Sequence, residues 1–113
     1  MFHFNASPTY VAKIVNGHIA ISGQGEISGS NVLAGNYSVE QDSKLQLVNG
    51  DYLHLKPGSV IKLFNNNEIR LRRGTLHFES ISAKNTIIHS RNFILLTNGS
   101  DLTLDLTKNQ PLV

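Results

Sequence analysis

Residues 45–55 read Leu45-Gln46-Leu47-Val48-Asn49-Gly50-Asp51-Tyr52-Leu53-His54-Leu55. On either side of the Asn-Gly pair, apolar and polar side chains take turns, and only an extended chain sends every second side chain to the same face. The same period of two returns in Ile69-Arg70-Leu71, in Leu76-His77-Phe78 and in Leu102-Thr103-Leu104-Asp105-Leu106. Helical spacing (apolar residues at i, i+3, i+4 and i+7) is missing, and the filler residues are Gly, Asn, Ser and Thr, which are poor helix formers. Residues 86–96 are more apolar, with Ile87-Ile88 and Phe93-Ile94-Leu95-Leu96, and predict a strand covered on both faces. The chain therefore reads as all-β, one domain over residues 1–113 built of stacked short strands and β-hairpins, sandwich or solenoid-like. Its expected core includes Ile14, Ile19, Ile21, Leu45, Leu53, Ile61, Ile69, Leu71, Phe78, Ile81, Ile88, Ile94, Leu102 and Leu104.

Turn chemistry punctuates these runs. Asn16-Gly17, Asn49-Gly50 and Asn98-Gly99 each sit between apolar segments. A type I′ hairpin turn needs positive φ at both central residues, which Asn-Gly meets at the least steric cost. Pro57-Gly58 marks another turn, Asn65-Asn66-Asn67 reads as a loop tip, and Gly74 is expected at positive φ between two strands. A second rhythm competes over residues 15–47. Gly17, Gly23, Gly29 and Gly35 fall six residues apart, as do Ile21, Ile27, Leu33, Val39 and Leu45. Such a period fits a solenoid whose short faces each point one apolar residue inward. The tail, residues 108–113, reads as a frayed end.

Composition narrows the chemistry. The chain has 113 residues, 40% of them apolar and 16% charged, with twelve asparagines, nine glycines and no cysteine. Disulfides, thiolate metal sites and thiol catalysis are thereby excluded. A net charge of +2 from ten basic and eight acidic residues does not argue for nucleic acid. No apolar run reaches the roughly 18–20 residues of a membrane helix. The N-terminal Met1-Phe2-His3-Phe4-Asn5 lacks the basic and apolar regions of a signal peptide, which leaves open an export signal removed upstream.

Catalytic constellations are not written in the sequence. Among five histidines no two stand at i, i+2 or i, i+4, the spacings of a local metal pair. His54 and His77 should both face solvent, and they meet only if their strands pair. Asp101 and Asp105 share a strand face but stand about 13 Å apart at the usual rise per residue, too wide for a glycosidase pair. Gly23-Gln24-Gly25 begins like a dinucleotide-binding fingerprint, then lacks both the third glycine and the following helix. No cofactor or metal is expected. The densest charge is Arg70, Arg72 and Arg73, with Lys62 nearby, and alternation puts Arg70 and Arg72 on one exposed face. Without interleaved aromatics that face fits a protein partner rather than nucleic acid.

Residues 49–79 carry a family resemblance. Asn-Gly-Asp-Tyr-Leu-His-Leu-Lys-Pro-Gly-Ser-Val-Ile-Lys-Leu, followed by Glu-Ile-Arg-Leu-Arg-Arg-Gly-Thr-Leu-His-Phe-Glu, resembles the FecR-type domain. The matching positions are Gly50, Leu55, Pro57, Ser59, Leu71, Gly74 and Phe78, with a looser likeness at Gly25-Glu26 and at Leu33-Ala34-Gly35-Asn36-Tyr37. The resemblance implies a non-enzymatic all-β module of the bacterial cell envelope or periplasm. The sigma-factor relay of full-length FecR-like regulators is not carried over, because neither their cytoplasmic helical segment nor their membrane helix is seen. The six-residue glycine period also looks like bactofilins, β-helices that polymerise end to end.

The expected function is a protein–protein interaction module that binds a partner by a strand edge or by the face bearing Lys62, Arg70, Arg72 and Arg73. The alternative is a self-assembling structural subunit, bactofilin-like or part of a virion or secretion machine. A carbohydrate binder or enzyme comes third, and as a carbohydrate binder would need Tyr10, Tyr37 or Tyr52 as an exposed platform.

Overall fold

Every alternating run named above becomes a strand. The computed structural model describes residues 10–65, 67–81, 85–90, 93–97 and 99–107. They form β1 (Ala12–Asn16), β2 (Ile19–Ile21), β3 (Ile27–Ser28), β4 (Asn31–Val32), β5 (Gly35–Val39), β6 (Ser43–Leu47), β7 (Tyr52–Leu55), β8 (Val60–Leu63), β9 (Glu68–Arg73), β10 (Thr75–Glu79), β11 (Ile87–Ser90), β12 (Phe93–Leu96) and β13 (Leu102–Asp105), with no helix among the described residues. The strands make two sheets, one in the order β13-β10-β7-β6-β1-β4-β3 (sheet I) and one in the order β12-β11-β9-β8-β5-β2 (sheet II).

A sandwich follows from the alternation. One side chain in two points inward, so the two inner faces can share one core. Sheet I contributes Leu45, Leu53, Leu55, Leu76 and Phe78, and sheet II contributes Tyr37, Ile61, Leu63, Ile69, Leu71 and Ile88, all at most 1% exposed and in one cluster. Register keeps like with like: Leu45 faces Leu53, Leu53 faces Phe78 and Phe78 faces Leu102 across sheet I. Three expected core residues are instead exposed. Ile21 (47%) lies on β2, at the edge of sheet II. Ile81 (59%) lies just past the end of β10. Ile94 (62%) is on the outer side of β12, where Leu95 is the residue that packs on the core. Residues 94–96 are therefore not covered on both faces, since Leu96 is also 57% exposed, whereas β11 in the same stretch alternates half-buried and buried side chains.

The solenoid reading is corrected. A solenoid stacks equivalent strands in parallel, whereas here β9–β11 is the one parallel pair among the described strands and the neighbours in the stretch concerned are antiparallel. The six-residue spacing reflects a chain that keeps changing sheet. Ile21 is on β2 in sheet II, Ile27 on β3 in sheet I, Val39 on β5 in sheet II and Leu45 on β6 in sheet I.

The Asn-Gly pairs divide in the same way. Asn49-Gly50 does turn a hairpin, β6 to β7. Asn67 is the only described non-glycine residue with positive φ, so Asn49 does not adopt the type I′ conformation. Gly50 N donates to Leu47 O (2.9 Å) and Leu47 N donates to Asp51 O (2.8 Å), with Gly50 at φ 102°, which is a tight turn closed by a glycine bulge. Asn49 is used for its side chain: Oδ1 accepts from Asp51 N (3.0 Å) and Nδ2 donates to Thr86 Oγ1 (2.9 Å). Asn16-Gly17 is no hairpin, because it carries the chain from β1 in sheet I to β2 in sheet II. Gly99 likewise stands between β12 and β13 in different sheets, and its neighbour Asn98 lies outside the described residues, as do residues 108–113. Pro57-Gly58 turns between β7 and β8, again from one sheet to the other, with Ser59 N donating to Lys56 O (3.1 Å).

Two of these corners are built alike. Gly17 (φ +89°) and Gly74 (φ +91°) each press on a buried serine, and a Cβ at either position would stand 2.4 Å from that serine's Oγ. Ser43 Oγ accepts from His18 N (3.0 Å) and lies 3.1 Å from His18 O, within donating distance. Ser59 Oγ accepts from Thr75 N (3.0 Å) and donates to Thr75 O (3.1 Å). In both, a serine at or just before the start of a strand ties down the residue that follows a glycine corner. Gly25 has another reason: its Cβ would meet the Tyr37 hydroxyl at 2.8 Å.

Candidate functional site

Outward-facing residues make two different surfaces. On sheet II the register sets Asn36 beside Lys62, Lys62 beside Arg70 and Arg70 beside His89. Arg72 follows Arg70 two residues along β9 on the same side, and both are exposed. A register shift pairs Val60 with Arg73 and Ile61 with Leu71, so Arg72 is the bulged residue and Arg72 and Arg73 both stand at the β9 end near the Gly74 corner. The structure thus gathers Lys62, Arg70 and Arg72 on one face and puts the exposed Arg73 at its rim. Among the described residues none of these four forms an ion pair. The carboxylate closest in register, Glu68, is taken by the His89 imidazole. Lys62 Nζ lies 4.9 Å from the centre of the Phe64 ring, which also packs against His89 (5.9 Å between centres). Phe64 is half-buried between these two neighbours. A shallow cavity of about 330 Å³ opens beside Arg72, Asn36, Val60 and Ser22.

Sheet I presents a face whose polar side chains engage each other. Asn16, Lys44, His54, His77 and Thr103 stand in one rank across β1, β6, β7, β10 and β13. The two histidines that sequence places on separate strands do meet, as directly paired residues with ring centres 5.6 Å apart. His54 Nε2 is 3.0 Å from Glu79 Oε1 and His77 Nδ1 is 2.7 Å from Thr103 Oγ1. Lys44 Nζ sits 4.2 Å over the Tyr52 ring. Lys56 Nζ is 3.8 Å from Asp42 Oδ1. This rank borders a cavity of about 410 Å³ beside the Ser43 and Thr75 corners, with Lys56 and Asp42 on its far side. Among the described residues no three His, Asp or Glu side chains are placed to hold a metal ion.

The remaining candidates are structural. Tyr37 is fully buried. Its Oη accepts from Glu26 N (3.0 Å) and reaches Leu33 O (2.7 Å) and Glu26 O (3.1 Å), pinning the glycine-rich arm to β5. Burial raises its pKa above the ordinary tyrosine value, the backbone bond from Glu26 opposes that rise, and the Glu26 charge adds to it. Of the three tyrosines of the carbohydrate reading, Tyr37 is inside and Tyr52 lies under Lys44, while Tyr10 is exposed. Asp101 accepts from Ser80 N (2.8 Å) and Asp105 from Thr107 N (2.9 Å) and Thr75 Oγ1 (3.2 Å), so both close turns or strand edges. Sequence reasoning passed over buried Asp51, whose carboxylate accepts from Ile81 N (2.8 Å) and Thr86 Oγ1 (2.9 Å) and ties the β6–β7 hairpin to the segment before β11. It also passed over Lys44 and Lys56 as neighbours of the histidine pair.

Comparison with family models, curated proteins and solved structures finds no match for this chain. No helix among the described residues is long and apolar enough to cross a membrane.

Proposed function

We propose that this chain is a non-enzymatic protein-interaction module that binds an acidic segment of a partner protein across the outer face of sheet II. The observation that carries the reading is the cluster of Lys62, Arg70 and Arg72, exposed or half-exposed side by side and without ion pairs among the described residues. Like charges on paired strands repel, so such a cluster costs stability unless something outside neutralises it. A planar guanidinium grips a carboxylate bidentately, and arginine is enriched at protein interfaces. A single-stranded nucleic acid is held best where free aromatic faces interleave with basic groups, and the ring beside this face, Phe64, is in contact with Lys62 and His89. The FecR-like phrase from Gly50 to Phe78 adds the proposal that the partner belongs to the bacterial cell envelope.

The test is binding of peptides rich in Asp and Glu to the wild type and to the Arg70→Glu plus Arg72→Glu variant, with a single-stranded oligonucleotide as control. The reading expects peptide binding that the variant loses and that falls with salt. Equal binding by both proteins, or preference for the oligonucleotide, would overturn it.

A second reading, self-association into a structural assembly, is favoured by β12. It is the outermost strand of sheet II and carries exposed Ile94 and Leu96. An open edge of this kind invites another strand. Light scattering across a hundredfold concentration range would show growth for this reading, abolished by Leu96→Lys, and a constant monomer mass against it.

A further inference from the structure

The cavity on the opposite face carries a separate proposal. Its volume, about 410 Å³, lies in the range of small-ligand sites, roughly 300–1,000 Å³. The side chains of Lys44, Lys56, His54 and His77 line it, against a single carboxylate, Asp42. The Lys44 ammonium, now 4.2 Å over the Tyr52 ring, must swing from that ring to reach an anion in the recess. The Asp42–Lys56 contact is long (3.8 Å), and both side chains are mostly exposed, 74% and 66%. Such a pair is worth little and gives way to a better partner. Glu79 is held by His54 Nε2 at 3.0 Å. A carboxylate only accepts, so Nε2 carries the proton there. The Thr103 hydroxyl stands 2.7 Å from His77 Nδ1 and can donate to it or accept from it; where it donates, Nε2–H is the free donor of that ring. Thr75 and Asn16 add a hydroxyl and an amide to the same lining. The lining therefore sets two lysines against one carboxylate and, although the Thr75 hydroxyl already donates to Asp105, keeps hydrogen-bond donors among its polar groups.

We propose that this recess binds a small oxyanion, a free phosphate or carboxylate, gripped by Lys44 and Lys56 with His77 as a further donor. The site stands apart from the cationic face of sheet II, because it is built on β1, β6, β7, β10 and β13 of the other sheet. It depends on the Gly17 and Gly74 corners, since Ser43 and Thr75 both line it. The partner-binding reading is neither needed for it nor tested by it.

The test is an NMR titration of the whole chain with inorganic phosphate and, separately, with succinate, each at ionic strength held constant with sodium chloride. The imidazole C–H signals of His54 and His77 should move saturably with at least one anion, while those of His89, on the other sheet, stay in place. Lys44→Gln plus Lys56→Gln should weaken that binding by about tenfold or more, the scale of losing charge-assisted hydrogen bonds. Arg70→Glu plus Arg72→Glu should leave it unchanged. Saturation by phosphate alone or succinate alone names the source of the anion, and either supports the site. The proposal is overturned if His89 moves in step with the other two, if neither anion saturates, or if the lysine double variant, checked for an unchanged melting midpoint, titrates like the wild type.

Discussion

The two outer faces are made by the same alternation over the same core, yet they differ in how their charges are disposed. On sheet I nearly every charged or imidazole group has a neighbour of complementary chemistry: His54 with Glu79, His77 with Thr103, Lys44 with Tyr52, Lys56 with Asp42. On sheet II, Lys62 has the Phe64 ring beside it, but Lys62, Arg70 and Arg72 stand together and the carboxylate nearest in register is taken by His89. Backbone period sets which residues face out, whereas register sets which outward residues meet. A face whose polar groups mostly engage one another leaves room for a small ligand in a gap where lysines outnumber carboxylates. A face whose charges are alike is completed from outside.

The change that breaks both faces at once is at the corner between them. Gly74→Val would force a β-branched side chain into left-handed backbone and against Ser59 Oγ and Cα at 2.4 and 2.5 Å. A loss of at least about 3 kcal/mol is expected by urea unfolding. An unchanged midpoint would remove Gly74 as the link that carries β9 of sheet II into β10 of sheet I.

Tyr37→Phe acts on the core beneath sheet II and is expected to cost about 1–2 kcal/mol, from the hydrogen bonds its hydroxyl makes to Glu26 and Leu33. If the variant matched the wild type in stability, the hydroxyl would have no part in holding the glycine-rich arm. The same hydroxyl gives a pH dependence. Its pKa is raised in the folded protein, so the neutral form is favoured by folding. That stability is complete below the ordinary tyrosine pKa of about 10 and is lost as pH rises through the folded value. Thermal melts from pH 9 to 11 should show a fall that is shallower in Tyr37→Phe, and parallel curves would contradict the assignment.

The smallest expected effect on stability sharpens the comparison most. Arg70→Glu plus Arg72→Glu alters one face alone, and its melting midpoint should correspond to a change within about 0.5 kcal/mol. A large destabilisation would mean that the arginines belong to the fold rather than to a binding surface.

Much of this arrangement could be read from residues 45–78. Leu45, Leu47, Leu53, Leu55, Leu76 and Phe78 are all buried where alternation put them. The outward placement of Arg70, Arg72, His54 and His77 follows from the same period. Register was harder. A two-residue turn at Asn49-Gly50 would pair Leu45 with His54, while the bulged turn pairs Leu45 with Leu53 and Lys44 with His54. A slip of one residue exchanges the faces, so the apolar pattern already argued against the two-residue turn. Applying that constraint would have placed Lys44 next to the histidine pair. The corners had no such signal. Asn16-Gly17 and Asn49-Gly50 are the same dipeptide, and only the distant Ser43, clasping His18, makes the first a crossing between sheets. Ile94 and Leu96 misled for a related reason, since apolar content marked a covered strand and the strand is an edge.

The most direct measurement is the dissociation constant of an Asp/Glu-rich peptide for the wild type and for Arg70→Glu plus Arg72→Glu, at low and at physiological salt. The account predicts that the variant binds at least about tenfold more weakly and that wild-type affinity drops as salt screens the contacts. Equal dissociation constants for the two proteins, insensitive to salt, would contradict it.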